Sequence, residues 1–324
     1  DETRFAAMFD SVSIIIATKD RAENLEPTLE SISQARNPDH LDVELLVIDN
    51  GSTDDTATVA RQTQVPFSDH RVVFEPRQGL SHARNRALTE ARGDLLLWTD
   101  DDVRVPENWI AGMTRPIRNG EADAVAGGVR LAPHLQRPWM QPWHRAFLAS
   151  SERIEDEPVD DMVGANMCFG RHVLDEVPRF DTRVGPGGLG FSGESTFAHE
   201  LRQAGFHIAP AFDIVVEHHF DPSRLLRSSF LSSARKLGRS MGYLHHTHFP
   251  ERSTVPEGPF RPYLELLELK AKLSFWRLLL QPERTDDGPP VSGWEKYYVR
   301  RIAYLEQTLE ERGPLTPENV IPIP

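Results

Sequence analysis

Four short apolar runs, each closed by a polar turn, restrict this chain more than any other feature. They are Ser13-Ile14-Ile15-Ile16-Ala17, Glu44-Leu45-Leu46-Val47-Ile48, Arg71-Val72-Val73-Phe74 and Asp94-Leu95-Leu96-Leu97-Trp98. None alternates apolar with polar residues. Runs that are apolar on both faces suit parallel strands covered by helices on either side. Helical stretches lie between them, at about 22–36, 54–62 and 80–91, with Asp54 and Ser81 placed to cap two of them. The order β-α-β-α-β-α-β predicts an α/β fold, a Rossmann-like, mostly parallel sheet with flanking helices. Ligands of such sheets bind at the carboxyl ends of the strands.

Farther along, Ala124-Val125-Ala126 and Ile214-Val215-Val216 read as strands, and Glu194 to Ala204 as a helix. Between them lies the loop Gly185-Pro186-Gly187-Gly188-Leu189-Gly190, either a plain connection or a segment that closes over a ligand. Helices are expected at about 222–245, 262–280 and 292–312, separated by Pro and Gly clusters near 256–262 and 286–293. The resulting division is an α/β domain over 11–220, with a first part over 11–118 and a second over 119–220, and a helical C-terminal region over 221–324.

Composition excludes several classes of function. The 324 residues carry a net charge of -13, which does not suit non-specific nucleic-acid binding. A single cysteine, Cys168, rules out an intrachain disulfide and a cysteine-based zinc site. No run approaches the roughly 18 apolar residues of a membrane span. Asp1 to Asp10 lacks the basic and apolar regions of a signal peptide. The expected location is the cytoplasm.

The strand ends carry the chemistry. The first ends in Ala17-Thr18-Lys19-Asp20-Arg21, the second in Asp49-Asn50-Gly51-Ser52-Thr53-Asp54, the fourth in Thr99-Asp100-Asp101-Asp102. Consecutive carboxylates after a buried strand repel one another unless a cation compensates. Oxygen ligands suit Mg²⁺ or Mn²⁺, which bridge substrate phosphates. The alternative is a solvated acidic loop. Asp49-Asn50-Gly51-Ser52 is by itself a tight turn, or an acceptor for a base N–H. Gly79-Leu80-Ser81-His82-Ala83-Arg84-Asn85-Arg86 opens a helix whose N-terminus and arginines form an anion site or a capped surface helix.

Taken in order, these blocks resemble the family 2 glycosyltransferases of the GT-A fold, over about residues 11–220, which implies that 11–220 is a catalytic domain with a nucleotide-binding half (11–118) and an acceptor half (119–220). The resemblance implies an inverting transfer from a nucleotide-diphosphate sugar, usually of UDP, to a saccharide, lipid-linked or other hydroxyl acceptor. It implies that Asp49 contacts the base, that Thr18, Asp20 and Arg21 hold the nucleoside with Asn50 and Ser52 of the turn, and that Arg84 lies near the ribose or diphosphate. Asp100 and Asp102 match the ends of an Asp-x-Asp motif that holds Mn²⁺ or Mg²⁺, with Asp101 the variable middle position beside the nucleotide. His218 in Val215-Val216-Glu217-His218-His219 matches a histidine that completes the metal site; side-chain alternation turns His219 the other way. In Gly193-Glu194-Ser195-Thr196-Phe197 the family has Gly-Glu-Asp, and the Asp is taken as the general base. Ser195 replaces it here, so Glu194 becomes the candidate base; its alternative is a helix-start acid.

The C-terminal helices repeat Leu225-Leu226, Phe230-Leu231 and Leu237, then Leu264, Leu267, Leu273, Trp276 and Leu279-Leu280, with Arg224, Arg227, Arg235, Lys236 and Arg239 on the first. Such faces pack on the catalytic domain, lie peripherally on the inner face of a membrane, or pair two chains in a homodimer. His245, His246 and His248 read as a polar helix end rather than a metal site. Two rivals stand beside the transferase. A sugar-nucleotide nucleotidyltransferase would carry a Gly-rich loop after the first strand, which is absent. A catalytically impaired nucleotide-sugar-binding relative is suggested by Ser195.

Overall fold

The computed structural model describes residues 9–37, 41–67, 69–152, 162–280 and 290–313. Residues 1–8 of the N-terminal stretch, half of the Pro and Gly cluster near 286–293 and the C-terminal end beyond 313 lie outside these residues. The chain divides into two compact units. One comprises Asp1–Arg183 with Gly193–Asp221, the other Val184–Ser192 with Pro222–Pro324.

The first unit is built on an eight-stranded sheet. The apolar runs become β1 (Ser11–Thr18), β2 (Asp42–Asp49), β3 (Asp69–Phe74) and β4 (Leu95–Thr99). Between them lie α1 (Ala22–Ser33), α2 (Thr56–Gln62) and α3 (Leu80–Glu90). The remaining elements of this unit are β5 (Val103–Arg104), α4 (Trp109–Arg118), β6 (Ala124–Leu131), α5 (Pro142–Phe147), β7 (Met167–Gly170), α6 (Gly193–Gln203) and β8 (Ile208–His218). The strand order is β3-β2-β1-β4-β7-β6-β8-β5.

The first four strands pair in parallel, as their double-sided apolar character requires. β7 then runs antiparallel to both β4 and β6, and β5 antiparallel to β8, so the whole sheet is mixed. Alternation divides the strands between two cores. Ile14, Ile16, Leu45, Val47, Leu95 and Leu97 face one; Ile15, Leu46, Ile48, Leu96 and Trp98 face the other. Cys168 lies on β7 within the first core, opposite Leu97, and is buried. Burial pushes its thiol far above the ordinary range.

Asn166, fully buried before β7, pins the second half of the sheet. Its amide donates to Gly128 O at 2.9 Å and Ile214 O at 2.8 Å, while its Oδ1 accepts from Trp109 Nε1 at 2.9 Å. Gly127 leaves the room: a Cβ there would stand 2.2 Å from Asn166 Nδ2.

Two caps differ from expectation. Ser81 is the second residue of α3, and Gly79, at φ 128°, takes the N-cap position without a side chain. That backbone conformation suits glycine, and it moves the helix start one residue ahead of the serine. Asp54 stands one residue before the α2 N-cap and accepts from Thr56 N at 2.9 Å.

The second unit contains α7 (Arg227–Thr247), α8 (Arg261–Leu280) and α9 (Gly293–Arg312). α7 and α9 approach closely where α7 carries Gly238 and Gly242. A Cβ at these positions would lie 2.2 Å from Arg300 O and 2.6 Å from Tyr304 O. Buried Glu295 gathers Arg227 and Arg277. The Gly185–Gly190 loop belongs here: Val184 and Leu189 pack with Tyr243, Leu244 and Phe249. α8 is apolar around most of its circumference, so its neighbours cover one stripe only. Leu269 is buried and Leu266 and Leu273 are partly so, whereas Leu264, Leu267, Leu279 and Leu280 are exposed. Among the described residues no helix is long and apolar enough to cross a membrane. His245 Nδ1 lies 3.3 Å from Tyr304 Oη, which makes it part of the α7–α9 packing.

Candidate active site

The site forms where β1, β2, β4 and β8 end and α3 and α6 begin. The three aspartates after β4 splay in different directions. Thr28 Oγ1 of α1, which is fully buried, lies 2.9 Å from the carbonyls of both Asp101 and Val103 and anchors the turn. The short β5 then pairs with the end of β8, aligning Val103 with His218. That pairing brings His218 to Asp102.

Asp101 turns toward β1. It accepts from Thr18 Oγ1 at 2.6 Å, and Arg21 Nε lies 4.0 Å away. Burial, with the charge of Asp102, pushes its carboxyl up to about 7. Asp20 adopts φ 51°, in the left-handed region, and its Oδ1 accepts from Thr53 N at 2.6 Å. Its backbone N–H donates to Ser52 Oγ at 3.0 Å. Asp49 Oδ1 accepts from Ser52 N at 2.9 Å and closes the turn after β2. Asn50 is occupied by backbone. Its amide donates to Glu75 O and Arg77 O, and its Oδ1 accepts from Gly79 N at 2.9 Å. Asn50 therefore ties the β2 turn to the start of α3. The residues expected to hold a nucleoside lie together on the two turns after β1 and β2.

Asp102 and His218 are both buried, with His218 Nε2 3.2 Å from Asp102 Oδ1. His218 Nδ1 lies 2.9 Å from Leu148 O, a carbonyl that only accepts, so Nδ1 carries the ring proton. In the neutral ring Nε2 then presents a lone pair to a carboxylate oxygen. Two acceptors at that distance need a proton or a cation between them. His219 points away, to Glu217 Oε1 at 2.7 Å.

Asp100 lies within reach of the charges of Asp102, Arg84, His218 and Glu194. Burial and the charge of Asp102 push its carboxyl up to about 6. Arg84, 2% exposed, donates from Nη2 to Glu194 Oε1 at 2.5 Å, and its guanidinium carbon lies 5.4 Å from the Phe180 ring centre. Its Nη1 is buried and, among the described residues, has no hydrogen-bond partner. For Glu194, burial raises the carboxyl, but the charge and hydrogen bond of Arg84 outweigh it and hold the group below the usual range. Gly164 leaves space for the pair: a Cβ there would lie 2.1 Å from Arg84 Nη2 and 2.5 Å from Glu194 Oε1. Thr28, Gly164 and Asn166 were not identified from the sequence, because each acts through a partner distant in the chain.

Among the described residues no three His, Cys, Asp or Glu side chains are gathered closely enough to hold a metal ion as they stand. Asp102 and His218 nonetheless fit one. A Mg²⁺-type site keeps waters and takes one or two protein carboxylates together with substrate phosphates. Asp102 Oδ1 and His218 Nε2, an oxygen and a nitrogen that can turn to one ion, are such a partial ligand set.

The sheet order, with acids at the end of β4 and helices behind, is the fold of the GT-A glycosyltransferases. The sequence model of glycosyl transferase family 2 matches residues 13–177 of the 324. The chain belongs to that family and catalyses glycosyl transfer. Glycosyltransferase AglE of Haloferax volcanii is 26% identical over 222 residues, 68% of this chain and 70% of its own length. The glucosyl-dolichyl phosphate glucuronosyltransferase of the same organism is 27% identical over 187 residues, 54% of this chain and 57% of that protein. The chain spans 33% of the length of a third relative, YfnE of Bacillus subtilis, with 28% identity over 145 residues, 45% of this chain. Among solved structures, mannosyltransferase PcManGT from Pyrobaculum calidifontis, in complex with GDP-Man and Mn²⁺, superposes with a TM-score of 0.60. It is 19% identical, and the match covers 96% of this chain and 93% of that one. Residues 1–349 of S. aureus TarS, in complex with UDP, give 0.51 at 15% identity, covering 93% and 91%.

Proposed function

We propose that this chain is an inverting glycosyltransferase that uses a nucleotide-diphosphate sugar, UDP the favoured nucleotide, and a divalent ion, Mn²⁺ or Mg²⁺. The observation that carries the reading is the buried approach of His218 Nε2 to Asp102 Oδ1, 3.2 Å apart at the sheet end. Asp100, Asp102 and His218 would hold the ion. When bound, that ion neutralises charge on the leaving diphosphate. Thr18, Asp20, Arg21, Asp49, Ser52 and Asp101 would form the nucleoside side, and Asn50 would position the turn. Arg84 would meet the diphosphate through Nη1. Glu194 would accept the acceptor's hydroxyl proton. Saccharide and lipid-linked hydroxyls are the acceptor classes in view, the second supported by the dolichyl phosphate relative.

Calorimetry of UDP with Mn²⁺, and with chelator, tests the reading. Metal-dependent binding by the wild type is expected, and its loss in Asp100→Ala/Asp102→Ala. Binding of GDP in place of UDP would change the donor; no nucleoside diphosphate binding would overturn the proposal. A second reading, a donor-binding relative that does not transfer, is favoured by one observation: Glu194 is neutralised by Arg84.

The carboxyl of Asp100 gives a pH prediction. Its folded value, about 6, lies above the ordinary 3.8 of an aspartate, so between these values the folded protein binds the extra proton. This contribution to stability falls as pH rises from about 4 to 6 and is flat above. A cation competes with that proton. Saturating Mn²⁺ is expected to raise the melting temperature more at pH 7.5 than at pH 5. Equal increments at both pH values would contradict the assignment.

A further inference from the structure

Arg84 and Glu194 are 110 positions apart in sequence and meet at 2.5 Å. The pair has three properties that a plain structural salt bridge does not need. The guanidinium is buried while one of its terminal nitrogens, Nη1, has no hydrogen-bond partner among the described residues. An unmade hydrogen bond on a buried charged donor costs free energy, which an incoming acceptor would recover. The loop beside the pair carries Gly164, the residue type that lets both side chains keep their positions. The neighbourhood is also short of positive charge. Asp100 feels the negative charges of Asp102 and Glu194 as well as the positive charge of Arg84, which is already committed to Glu194. A divalent ion balances that deficit, and a diphosphate arriving with it restores the negative excess.

We propose that Arg84 is a shared cation, which the donor diphosphate draws from Glu194, so that Glu194 becomes competent as a base only once the donor is seated. This rests on the transferase reading above. Nη1 provides the first contact for a phosphate oxygen. A diphosphate carries more negative charge than a single carboxylate and can take both nitrogens of the guanidinium fork, so it competes well for the cation. Glu194, released, is left as a part-buried carboxylate without its counter-charge, and its affinity for a proton rises toward what general-base catalysis needs. The transfer step then balances. The acceptor oxygen forms its bond to the anomeric carbon as the bond from that carbon to the diphosphate oxygen breaks. The bonding pair leaves with the diphosphate, and the hydroxyl proton passes to Glu194. In the absence of donor the base is held by Arg84 and draws no proton from a hydroxyl.

The arrangement makes a prediction of unusual sign: the proposed base weakens donor binding, because the donor must break the Arg84 pair. Calorimetric titration of UDP with Mg²⁺ tests it, on the wild type and on Glu194→Gln, with uridine as the control ligand. Glu194→Gln is expected to bind UDP about fivefold more tightly, the low end of ordinary coupling between sites. Uridine, which has no phosphate, is expected to bind both forms equally. Gly164→Ala serves if Glu194→Gln does not fold, since its methyl group parts the pair while leaving both charges, and a gain in UDP affinity is again expected. Wild-type binding of UDP with unchanged or weaker binding by these variants overturns this inference alone, and makes Glu194 a residue that positions Arg84. Absence of nucleoside diphosphate binding by the wild type overturns it together with the reading beneath it.

Discussion

Arg84→Met is expected to destabilise the folded chain by about 2–4 kcal/mol and to lower donor turnover by on the order of 10²–10³. The first effect follows from what is left behind. Methionine fills much of the volume above the Phe180 ring, but Glu194 keeps its carboxylate without the guanidinium that neutralises it. Removing one partner of a buried pair costs more than the pair contributes, because the remaining charge is stranded. The Glu194 side chain is 21% exposed, which places the figure below that for a fully enclosed ion. The cost depends on pH. In the wild type the Glu194 carboxyl lies below its usual range, so its stabilising contribution is present at neutral pH and is lost as pH falls through that lowered value. In the variant the carboxyl rises instead, and the folded state binds the proton more tightly than the unfolded. The difference between the two proteins is therefore expected to shrink as pH falls toward about 4, the ordinary range of a glutamate. Chemical denaturation at pH 7.5 and at pH 5 measures it. Equal stability of the two proteins at pH 7.5 would show that the ion pair is not formed as described. The second effect follows from the loss of a preorganised donor aimed at developing charge.

Asn166→Ala is expected to cost about 3–5 kcal/mol of stability, enough to unfold a marginal domain. The truncation strands three buried groups at once: the carbonyls of Gly128 and Ile214 and the indole N–H of Trp109. It also leaves a gap beside Gly127, against which the amide packs. Asn166→Asp sharpens the test. The aspartate still accepts from Trp109, but it turns an amide that donates to two carbonyls into an oxygen that repels them. It is expected to be no more stable than the alanine variant at neutral pH. A melting temperature within a degree or two of wild type for either variant would contradict the role given to this residue.

The strands of the first half were legible because parallel strands covered on both faces leave an unbroken apolar run, as in Ile14-Ile15-Ile16 and Leu95-Leu96-Leu97. The acidic turn was legible as a turn. Its splay was not, because the direction of each carboxylate depends on β5 pairing with a strand more than a hundred residues later. The Arg84–Glu194 pair was hidden for the same reason: no local pattern links a helix start to another helix start 110 positions on. Ser81 was misplaced as a cap because a glycine at positive φ supplies the helix start by conformation rather than by side chain. The leucines of α8 were ambiguous in principle. A helix apolar around its circumference does not state which stripe is covered, and Leu269 is buried where Leu264 and Leu267 are exposed.

Cys168 has a use outside the chemistry of transfer. It is the single thiol of the chain, it sits against Leu97 at the centre of the sheet, and burial leaves it protonated and sealed from reagents. A thiol in that position reacts only when the strands around it part, so its labelling rate clocks how often the heart of the first unit opens. The same silence lets a cysteine introduced on the surface take a fluorophore alone, with no need to mutate the native residue.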